Sequence, residues 1–363
     1  MADIVISGYY GLGNTGDEAL LRCMIEDLRR ISPDITITAL SANKLLTKRL
    51  YGVNTVNRYN PFAVFKELKK AKVLLSGGGT LIQDATSTRS LLYYLGIIML
   101  AKLAGARVMV YANGMGPIKD KNVKIVNRIL NKADIITLRE NNSLEEIERC
   151  RITSPLVKVT ADPAFNLESD DTKIGELFEK FKIPEEKKLM AVSLRSWQEM
   201  PKTFASHMAK VLKWTEGSGF YPIFIPMQMQ RDLELSKEVA SLYGGECSII
   251  DEELPVVQLL ALIGKCRIAC GMRLHMLIFA SVKNVPMAGI AYDPKIKGFM
   301  EYMNQKNYID IKDFNSGAFI KMLENLEENI EEYRGELKKS SAELKKKAEE
   351  NAVLAVKLAE GTL

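Results

Sequence analysis

Short apolar runs alternate with longer amphipathic segments throughout the first half of the chain. Each run is rich in β-branched or large aliphatic residues and predicts a β-strand, while the segments between runs repeat apolar residues at helical spacing. Strands that alternate with helices are typical of a parallel sheet covered by helices. The runs lie at residues 4–7, 35–40, 73–75, 107–111, 135–138 and 157–160.

The same alternation resumes in the second half, after a polar stretch at 168–188. Residues 315–361 are rich in Glu, Lys, Leu and Ala without an internal proline, and they are predicted to be helical. We therefore expect an α/β fold: two Rossmann-like domains facing a cleft, followed by a long C-terminal helix. The predicted boundaries are 1–170, 171–314 and 315–363. The later strands are predicted at 189–194, 221–225, 248–250, 267–269 and 285–292.

Composition narrows the classes of protein to which the chain could belong. A length of 363 residues at 47% hydrophobic content is enough for two domains with buried cores. The most apolar run, 91–101, is too short to cross a bilayer and predicts a buried helix. The N-terminus lacks the pattern of an export signal, so we expect a cytoplasmic protein. The net charge of +5 comes without a basic stripe interleaved with aromatics, so no nucleic-acid partner is expected.

Five scattered cysteines support neither a disulfide framework nor a zinc site, and we expect reduced thiols in the core. No ligand cluster that would hold another metal is evident either. The cysteines are Cys23, Cys150, Cys247, Cys266 and Cys270.

Residues 8–21, GYYGLGNTGDEALL, follow the first strand and contain the G-x-G-x-x-G pattern of dinucleotide-binding proteins. Such proteins place an acidic residue at the end of the second strand to bind the ribose. Here that strand ends at 41–43 in Ser-Ala-Asn, without a carboxylate. Asp17 and Glu18 also open the following helix, where they would repel a pyrophosphate. NAD binding is therefore not predicted.

Loops at the ends of the predicted strands carry polar groups that could contact a ligand, because open α/β sheets bind ligands at this edge. The glycines of 74–84 could form an anion-binding nest or simply a tight turn. The segment 110–118 repeats this design. Asn14 and Thr15, in the first glycine loop at 8–21, can cap the helix that follows that loop. The candidates are Asn14, Thr15, Asp17, Gly78, Gly79, Gln83, Asp84 and Asn113.

Arg139 ends another strand, in the segment ITLREN at 136–141. We expect an exposed guanidinium at the position where a ligand would sit. The alternative is a salt bridge to Glu140 or another neighbour.

The second domain contains a strand, a glycine and a helix start in CRIACGMRLHMLIFASV, residues 266–282. Gly271 precedes the helix, and Arg273 and His275 fall in or near its first turn. Helix-start amides, a guanidinium and a group that titrates near neutrality suit a phosphorylated or carboxylated substrate that undergoes proton transfer. A structural role for His275 is the alternative.

Lys295 follows the next predicted strand, in the segment IAYDPKIKGF at 290–299, and could add a cation to the same site. The alternative is a solvated surface lysine. His207 lies on a helical pattern beside apolar residues and is interpreted as structural.

These segments together resemble the polysaccharide pyruvyl transferases, of the cell-surface-anchoring (CsaB) type. The resemblance spans most of the chain, and its motifs are specific as a set although several are not specific singly. The matching segments are GYYGLGNTGDEA, GGGTLIQD, GMGP, TLREN, DPAF, RLH followed by IFA, and AYDPK.

The resemblance implies a GT-B-like fold, with phosphoenolpyruvate as the donor and no cofactor. The acceptor would be a sugar that ends as a pyruvate ketal, typically 4,6-linked on N-acetylmannosamine of a lipid-linked cell-wall polymer precursor. Arg139, His275 and Lys295 would be catalytic or contact the donor, and Arg273 would belong to the donor site. Donor contacts would lie in the C-terminal domain with Gly271, and acceptor contacts in the N-terminal domain.

Ketal formation requires a base for the sugar hydroxyl, and His275 is the candidate, while the acid is left open. A nucleotide-sugar glycosyltransferase and a non-catalytic anion or nucleotide sensor are the alternatives. A lipid-linked acceptor would be met at the inner face of the membrane, through the lysine run at 66–72 or the terminal helix. That run could equally be a solvated helix face, and the oligomeric state is left open.

Overall fold

The computed structural model describes residues 3–85 and 87–363 of the chain. Within this range the chain forms two separate parallel sheets, each flanked by helices. The first sheet has the order β3-β2-β1-β4-β5-β6-β7 and the second the order β10-β9-β8-β11-β12-β13. The predicted α/β fold with two parallel sheets and a long last helix is confirmed.

The strands of the first sheet are β1 (Ile4–Ser7), β2 (Ile37–Ser41), β3 (Asn54–Asn57), β4 (Val73–Gly77), β5 (Arg107–Asn113), β6 (Ile135–Leu138) and β7 (Leu156–Val159). Those of the second sheet are β8 (Lys188–Ser193), β9 (Phe220–Phe224), β10 (Ser248–Ile249), β11 (Ile268–Gly271), β12 (Met287–Ala291) and β13 (Tyr308–Asp310).

The helices that accompany the first sheet are α1 (Thr15–Ile31), α2 (Lys44–Tyr51), α3 (Pro61–Leu68), α4 (Thr88–Leu103), α5 (Asp120–Leu130) and α6 (Ser143–Arg149). They are followed by α7 (Ile174–Lys180), α8 (Phe204–Ser218), α9 (Met229–Tyr243), α10 (Val256–Gly264), α11 (Leu274–Val282), α12 (Pro294–Tyr302), α13 (Ser316–Glu328) and α14 (Ile330–Glu360).

Every predicted strand is present, and the structure adds an edge strand to each sheet. The central strand β1 is buried along its whole length and pairs in register with β2 and β4. Strands buried on both faces have continuous apolar sequences, which is why such runs were recognisable. The edge strand β3 reads Asn-Thr-Val-Asn and is largely exposed, so it has no such run. The polar stretch at 168–188 also contains the short helix α7.

The chain divides into two compact units. Unit 1 runs to Asn166 and is completed by Leu344–Leu363, and unit 2 is Leu167–Glu343. The change of unit after Asn166 lies close to the boundary predicted at residue 170. The helical segment that the prediction set apart at 315–363 is shared between the units, because α14 passes from one to the other.

Unit 1 has a core on each face of its sheet. On one face α1 and the last turns of α14 pack against β1, with Ala352 and Ala355 fully buried. On the other face lie α3, α4 and α5. Leu95 and Ile98 of α4 are fully buried, which confirms that 91–101 is a core helix. No helix in the described part of the chain combines the length and apolar character that a membrane crossing requires.

The five cysteines are free thiols, as predicted, and all except the half-buried Cys247 are buried. Burial raises the pKa of the Cys266 and Cys270 thiols to about 12.

Candidate functional site

The glycine loop after β1 is held by the first turn of α1. Asn14 is the N-cap of this helix, and its Oδ1 accepts hydrogen bonds from the amides of Gly16 and Asp17 at 3.1 and 3.5 Å. The Glu18 Oε1 accepts the Gly11 amide at 2.7 Å. Amides that a helix start could offer to a phosphate are therefore bound by oxygens of the chain itself.

The glycine-rich loop after β4 passes close to α1. Gly78 and Gly79 have φ of +78° and +82°, a conformation that favours glycine. A Cβ on Gly78 would lie 2.9 Å from the Leu20 Cβ, and one on Gly79 would lie 3.1 Å from the Asp17 Oδ1. This loop therefore needs glycine for its close approach as well as for its turn. Four of the predicted acceptor-loop residues are half-buried: Asn14, Thr15, Asp17 and Gln83.

Asp84 and Asn113 are completely buried and bonded within the fold. The Asn113 Nδ2 donates to the Ser76 carbonyl at 2.9 Å, and its Oδ1 accepts the Leu81 amide at 3.2 Å. Asp84 accepts the Asn122 Nδ2 at 2.5 Å. Both side chains brace the loops that follow β4 and β5.

Arg139 follows β6, but its guanidinium is buried, so the expectation of an exposed group there is wrong and the alternative, a salt bridge to Glu140 or another neighbour, is confirmed. Only 4% of the residue is accessible. Its Nε donates to the Glu140 Oε2 at 3.0 Å, its Nη1 to the Asp162 Oδ2 at 2.9 Å and its Nη2 to the Thr80 Oγ1 at 3.0 Å. Burial alone would lower the pKa of Arg139, but the two carboxylates outweigh it and raise that pKa.

Gly114 lies at the centre of this network. A Cβ there would be 2.6 Å from the Glu140 Oε1, 2.9 Å from the Thr80 Oγ1 and 3.2 Å from the Arg139 Nε. The loops that follow β4, β5 and β6 therefore meet around Gly114, where there is no room for a side chain.

In unit 2, β11 ends at Gly271 and α11 begins three residues later, which confirms the predicted strand, glycine and helix start. A Cβ on Gly271 would lie 2.7 Å from the Ser193 carbonyl oxygen of β8, so the close pairing of these strands requires glycine. Arg273 is the N-cap residue, and His275 is the second residue of the helix. The half-buried His275 ring lies 6.2 Å from the Phe279 ring.

Arg273 is paired with a carboxylate of the protein. Its Nε donates to the Asp232 Oδ2 at 2.8 Å and its Nη2 to the Asp232 Oδ1 at 2.5 Å. Asp232 is fully buried and also accepts the backbone amides of Met227 and Gln228. The two-pronged donor face expected to clamp a ligand is therefore occupied by Asp232.

Lys295 is the second residue of α12, at the end of β12. Its Nζ lies 3.4 Å from the Asp293 Oδ2 and 5.7 Å from the centre of the Tyr292 ring. The Asp293 Oδ1 accepts the Lys295 amide at 3.0 Å and so caps the helix. The side chain is half-buried, with 28% of it accessible.

Arg195, which the sequence interpretation did not single out, lies with Lys295 against the Tyr292 ring and contacts Met272, the residue before Arg273. It follows β8, its amide faces the Met272 Sδ at 3.4 Å, and its Nη1 donates to the Tyr292 hydroxyl at 2.7 Å. Its guanidinium lies 5.1 Å from the Tyr292 ring and 5.4 Å from the Trp197 ring. Within residues 3–85 and 87–363 it forms no ion pair, and its buried Nε has no hydrogen-bond partner.

A sequence signal for Arg195 did exist. The residue stands directly after an apolar strand, as Arg139 does, and strands of one parallel sheet end at the same edge. Its neighbours Tyr292 and Met272 are far away in sequence, so the pattern alone could not show them.

His207 has the structural role that was predicted. It lies on α8, and its Nδ1 accepts the Ser316 amide at 3.3 Å, which ties α8 to the start of α13. Of the predicted site residues, His275, Arg273, Gly271 and Lys295 thus share the carboxyl edge of the second sheet, while Arg139 and the acceptor-loop residues belong to unit 1.

Comparison with solved structures identifies the architecture. A glycosyltransferase from Rickettsia africae superimposes with a TM-score of 0.67 at 11% identity, covering 99% of this chain and 97% of its own. Anabaena Alr3699/HepE in complex with UDP and glucose gives a TM-score of 0.66 at 10% identity, with both chains fully covered. At this identity the likeness concerns the fold, which is GT-B-like.

Comparison of sequences identifies the family. The amylovoran biosynthesis protein AmsJ of Erwinia amylovora is 22% identical in a match that covers 91% of this chain and 93% of AmsJ. Residues 14–294 match the family model of the polysaccharide pyruvyl transferases, from the cap of α1 to the start of α12. The chain therefore belongs to the polysaccharide pyruvyl transferase family.

Proposed function

We propose that the protein transfers the pyruvyl group of phosphoenolpyruvate to a saccharide as a ketal and releases phosphate. Family membership supports a polysaccharide-modifying transferase. The observation that carries the choice of donor is Arg195, a half-buried guanidinium without a carboxylate partner in the described chain, next to Lys295. Phosphoenolpyruvate has a carboxylate and a phosphate, and guanidinium and ammonium groups bind such anions strongly.

The two cations share one aromatic ring, since both lie within 6 Å of the centre of Tyr292. Two like charges beside one ring repel each other, and Asp293, which lies next to Lys295, offsets part of that repulsion. An anionic donor bound by both cations would neutralise their charge. Arg273, already neutralised by Asp232, would instead hold the start of α11 in place.

His275 is the proposed base. In the first step a proton adds to the enol methylene carbon, the adjacent carbon becomes cationic, and a sugar hydroxyl attacks it while His275 takes the hydroxyl proton. In the second step another hydroxyl of the same sugar attacks that carbon, the bond to the phosphate oxygen breaks, and the second proton leaves with phosphate. The product is a cyclic ketal, and the acid of the first step is not assigned.

The proposed acceptor is N-acetylmannosamine of a lipid-linked cell-wall polymer precursor, ketalated at positions 4 and 6. The half-buried loop residues Asn14, Thr15, Asp17 and Gln83, with the Gly78–Gly79 turn, would contact it. Arg139 would be a positioning residue, because its guanidinium donates hydrogen bonds to Thr80, Glu140 and Asp162 and so holds the loops at the carboxyl edge of the first sheet. We propose as part of the same function that the protein acts in the cytoplasm, at the inner face of the membrane.

The test combines phosphoenolpyruvate with a synthetic N-acetylmannosaminyl acceptor and measures phosphate release together with the mass gained by the acceptor. His275→Gln should still bind phosphoenolpyruvate, while turnover falls by roughly 10²- to 10⁴-fold, the usual contribution of general base catalysis. His207→Gln is the matched control and should keep normal turnover. Near-normal turnover of His275→Gln would remove His275 from the mechanism.

Two other functions give different outcomes in the same assay. A nucleotide-sugar glycosyltransferase would bind UDP and release no phosphate from phosphoenolpyruvate. A sensor would bind an anion without turnover, and its function would survive replacement of His275.

A further inference from the structure

Positive charge is concentrated in one short part of unit 1. Residues 42–72 contain eight Lys or Arg residues and a single acidic residue, Glu67. The chain as a whole has a net charge of only +5, so the remainder is net negative. Segment 42–72 comprises α2, β3 and α3, which together form the β3 edge of the first sheet. We call this surface the α2–α3 edge.

The same surface exposes the largest apolar side chains. Phe62 is 88% accessible, Leu45 is 84% and Tyr59 is 64%. Leu103 at 70% is the other large apolar residue exposed to this degree in the described chain, and it lies elsewhere, at the end of α4. A soluble surface gains nothing from exposing such side chains together, so their grouping marks an interaction site.

The apolar and cationic residues are ordered along the two helices. Leu45 and Phe62 are the second residues of α2 and α3, and both helices begin where a strand of the parallel sheet ends. The two apolar side chains therefore lie at the same edge, the carboxyl edge of the sheet. Lys48 is three residues after Leu45 and Lys66 four after Phe62, so each cation lies on the same helix face one turn behind an apolar tip.

These cations are not neutralised by the protein. Lys44, Lys48, Arg49 and Lys66 are exposed and form no ion pair within residues 3–85 and 87–363. Glu67, the local acid, is paired with Lys70.

We propose that the α2–α3 edge binds the surface of an anionic phospholipid bilayer, with Leu45, Tyr59 and Phe62 inserted among the acyl chains and headgroups. Lys48 and Lys66 would then lie at the depth of the lipid phosphates, because one helical turn advances about 5.4 Å. Apolar tips backed by unpaired cations complement a membrane that is apolar inside and negative at its surface. A protein or nucleic-acid partner would not require apolar side chains at the tip with cations one helical turn behind them.

Membrane binding rests on this surface alone, but its purpose rests on the proposed function. Docking through the carboxyl edge of unit 1 would bring the loops that follow β1 and β4 toward the membrane surface, where the headgroup of a lipid-linked acceptor lies. A soluble acceptor would bypass this step.

The experiment measures co-sedimentation of the full chain with vesicles of phosphatidylcholine and phosphatidylglycerol. The double variant Leu45→Ser/Phe62→Ser should lower the partition coefficient by about 10-fold or more, given the free energy of burying two large apolar side chains. Leu103→Ser removes an equally apolar exposed side chain outside the surface and should bind as the wild type does.

Charge is tested in parallel. Lys48→Glu/Lys66→Glu should weaken binding by about 10-fold at low salt, and the effect should shrink as salt screens the surface. Lys338→Glu/Lys339→Glu, on the exposed side of α14, is the matched control and tests the terminal helix as the alternative contact. Turnover on the soluble acceptor should be unchanged in all these variants.

Equal binding of Leu45→Ser/Phe62→Ser and the wild type would overturn the proposal, as would absence of wild-type binding to anionic vesicles. Retention on nucleic acid with no vesicle binding would contradict it too. Vesicle binding without turnover of phosphoenolpyruvate would leave this surface intact and reject the proposed function, so the two failures are distinguishable.

Discussion

Arg273 and Asp232 form a two-pronged ion pair, with 2.8 Å between Nε and Oδ2 and 2.5 Å between Nη2 and Oδ1. Asp232 lies on α9 and Arg273 at the N-cap of α11, so the pair joins two helices at the carboxyl edge of the second sheet. Because Asp232 also accepts the amides of Met227 and Gln228, it fixes the loop before α9 as well. Arg273 therefore serves first to position the start of the helix that carries His275.

Arg273→Lys should destabilise unit 2, although the charge is kept. Lysine cannot form two parallel hydrogen bonds with one carboxylate, and loss of a charged hydrogen bond in a buried pair costs about 1.5–3 kcal/mol. Thermal unfolding should show a lower Tm. Arg334→Lys changes an exposed pair with Glu331 and should leave the Tm within error. Equal Tm values for the two variants would show that the Asp232 pair contributes little.

Arg195→Gln should weaken donor binding more than it slows the chemical step. Removing one charged hydrogen bond to an anion predicts a KM for phosphoenolpyruvate about 10- to 100-fold higher, with kcat much less affected. Steady-state kinetics and donor titration measure both effects. Arg334→Gln serves as the control for loss of an arginine. An unchanged KM would show that the open Nε of Arg195 does not face the donor.

Gly114→Ala should disturb the Arg139 network. The new methyl group would lie 2.6 Å from the Glu140 Oε1, and overpacking of this kind typically costs about 1–3 kcal/mol. The free energy of unfolding should fall, and turnover should fall with it. Gly96→Ala is the matched control, since a Cβ there would meet no atom within 4 Å apart from its own helix backbone, and alanine in a helix stabilises by about 0.5–1 kcal/mol relative to glycine. The free energy of unfolding should therefore decrease in Gly114→Ala and increase in Gly96→Ala.

Thiol labelling should follow burial. Native protein at pH 8 should be alkylated first at the half-buried Cys247, while Cys266 and Cys270, whose pKa is about 12, present only about 10⁻⁴ of their thiols as thiolate. Mass spectrometry with and without denaturant distinguishes these sites. Fast labelling of Cys270 in the native state would contradict the burial.

The same two thiols give a pH dependence of stability. Their pKa is raised in the folded state, so they remain protonated there while the thiols of the unfolded chain ionise near pH 8.5. Their contribution is fully present below that pH and is lost as the pH rises toward 12, so the free energy of unfolding should fall over this window. Urea titrations at pH 8 and pH 10 measure the difference.

The sequence predicted the buried central strands, whereas two of the edge strands were missed. Central strands and α4 have apolar runs that only burial explains, whereas β3 and β13 are edge strands without such runs. His275 could be placed because the order of strand, glycine and helix start is local. The burial of Arg139 could not be predicted, since Asp162 and Thr80 reach it from other strand ends. Pairing of Arg273 with Asp232, 41 residues away, is equally non-local.

Helix α14 links the order of synthesis to the order of folding. Ala352, Ala355 and Val356 of α14 cover part of one face of a sheet whose strands all precede residue 160. A ribosome adds about 5–20 residues per second, so these alanines emerge on the order of ten seconds or more after the strands they cover. Throughout that interval the nascent first unit exposes the part of this apolar face that α14 covers beside α1. The newly made chain is therefore expected to be a chaperone substrate until its last turns are complete.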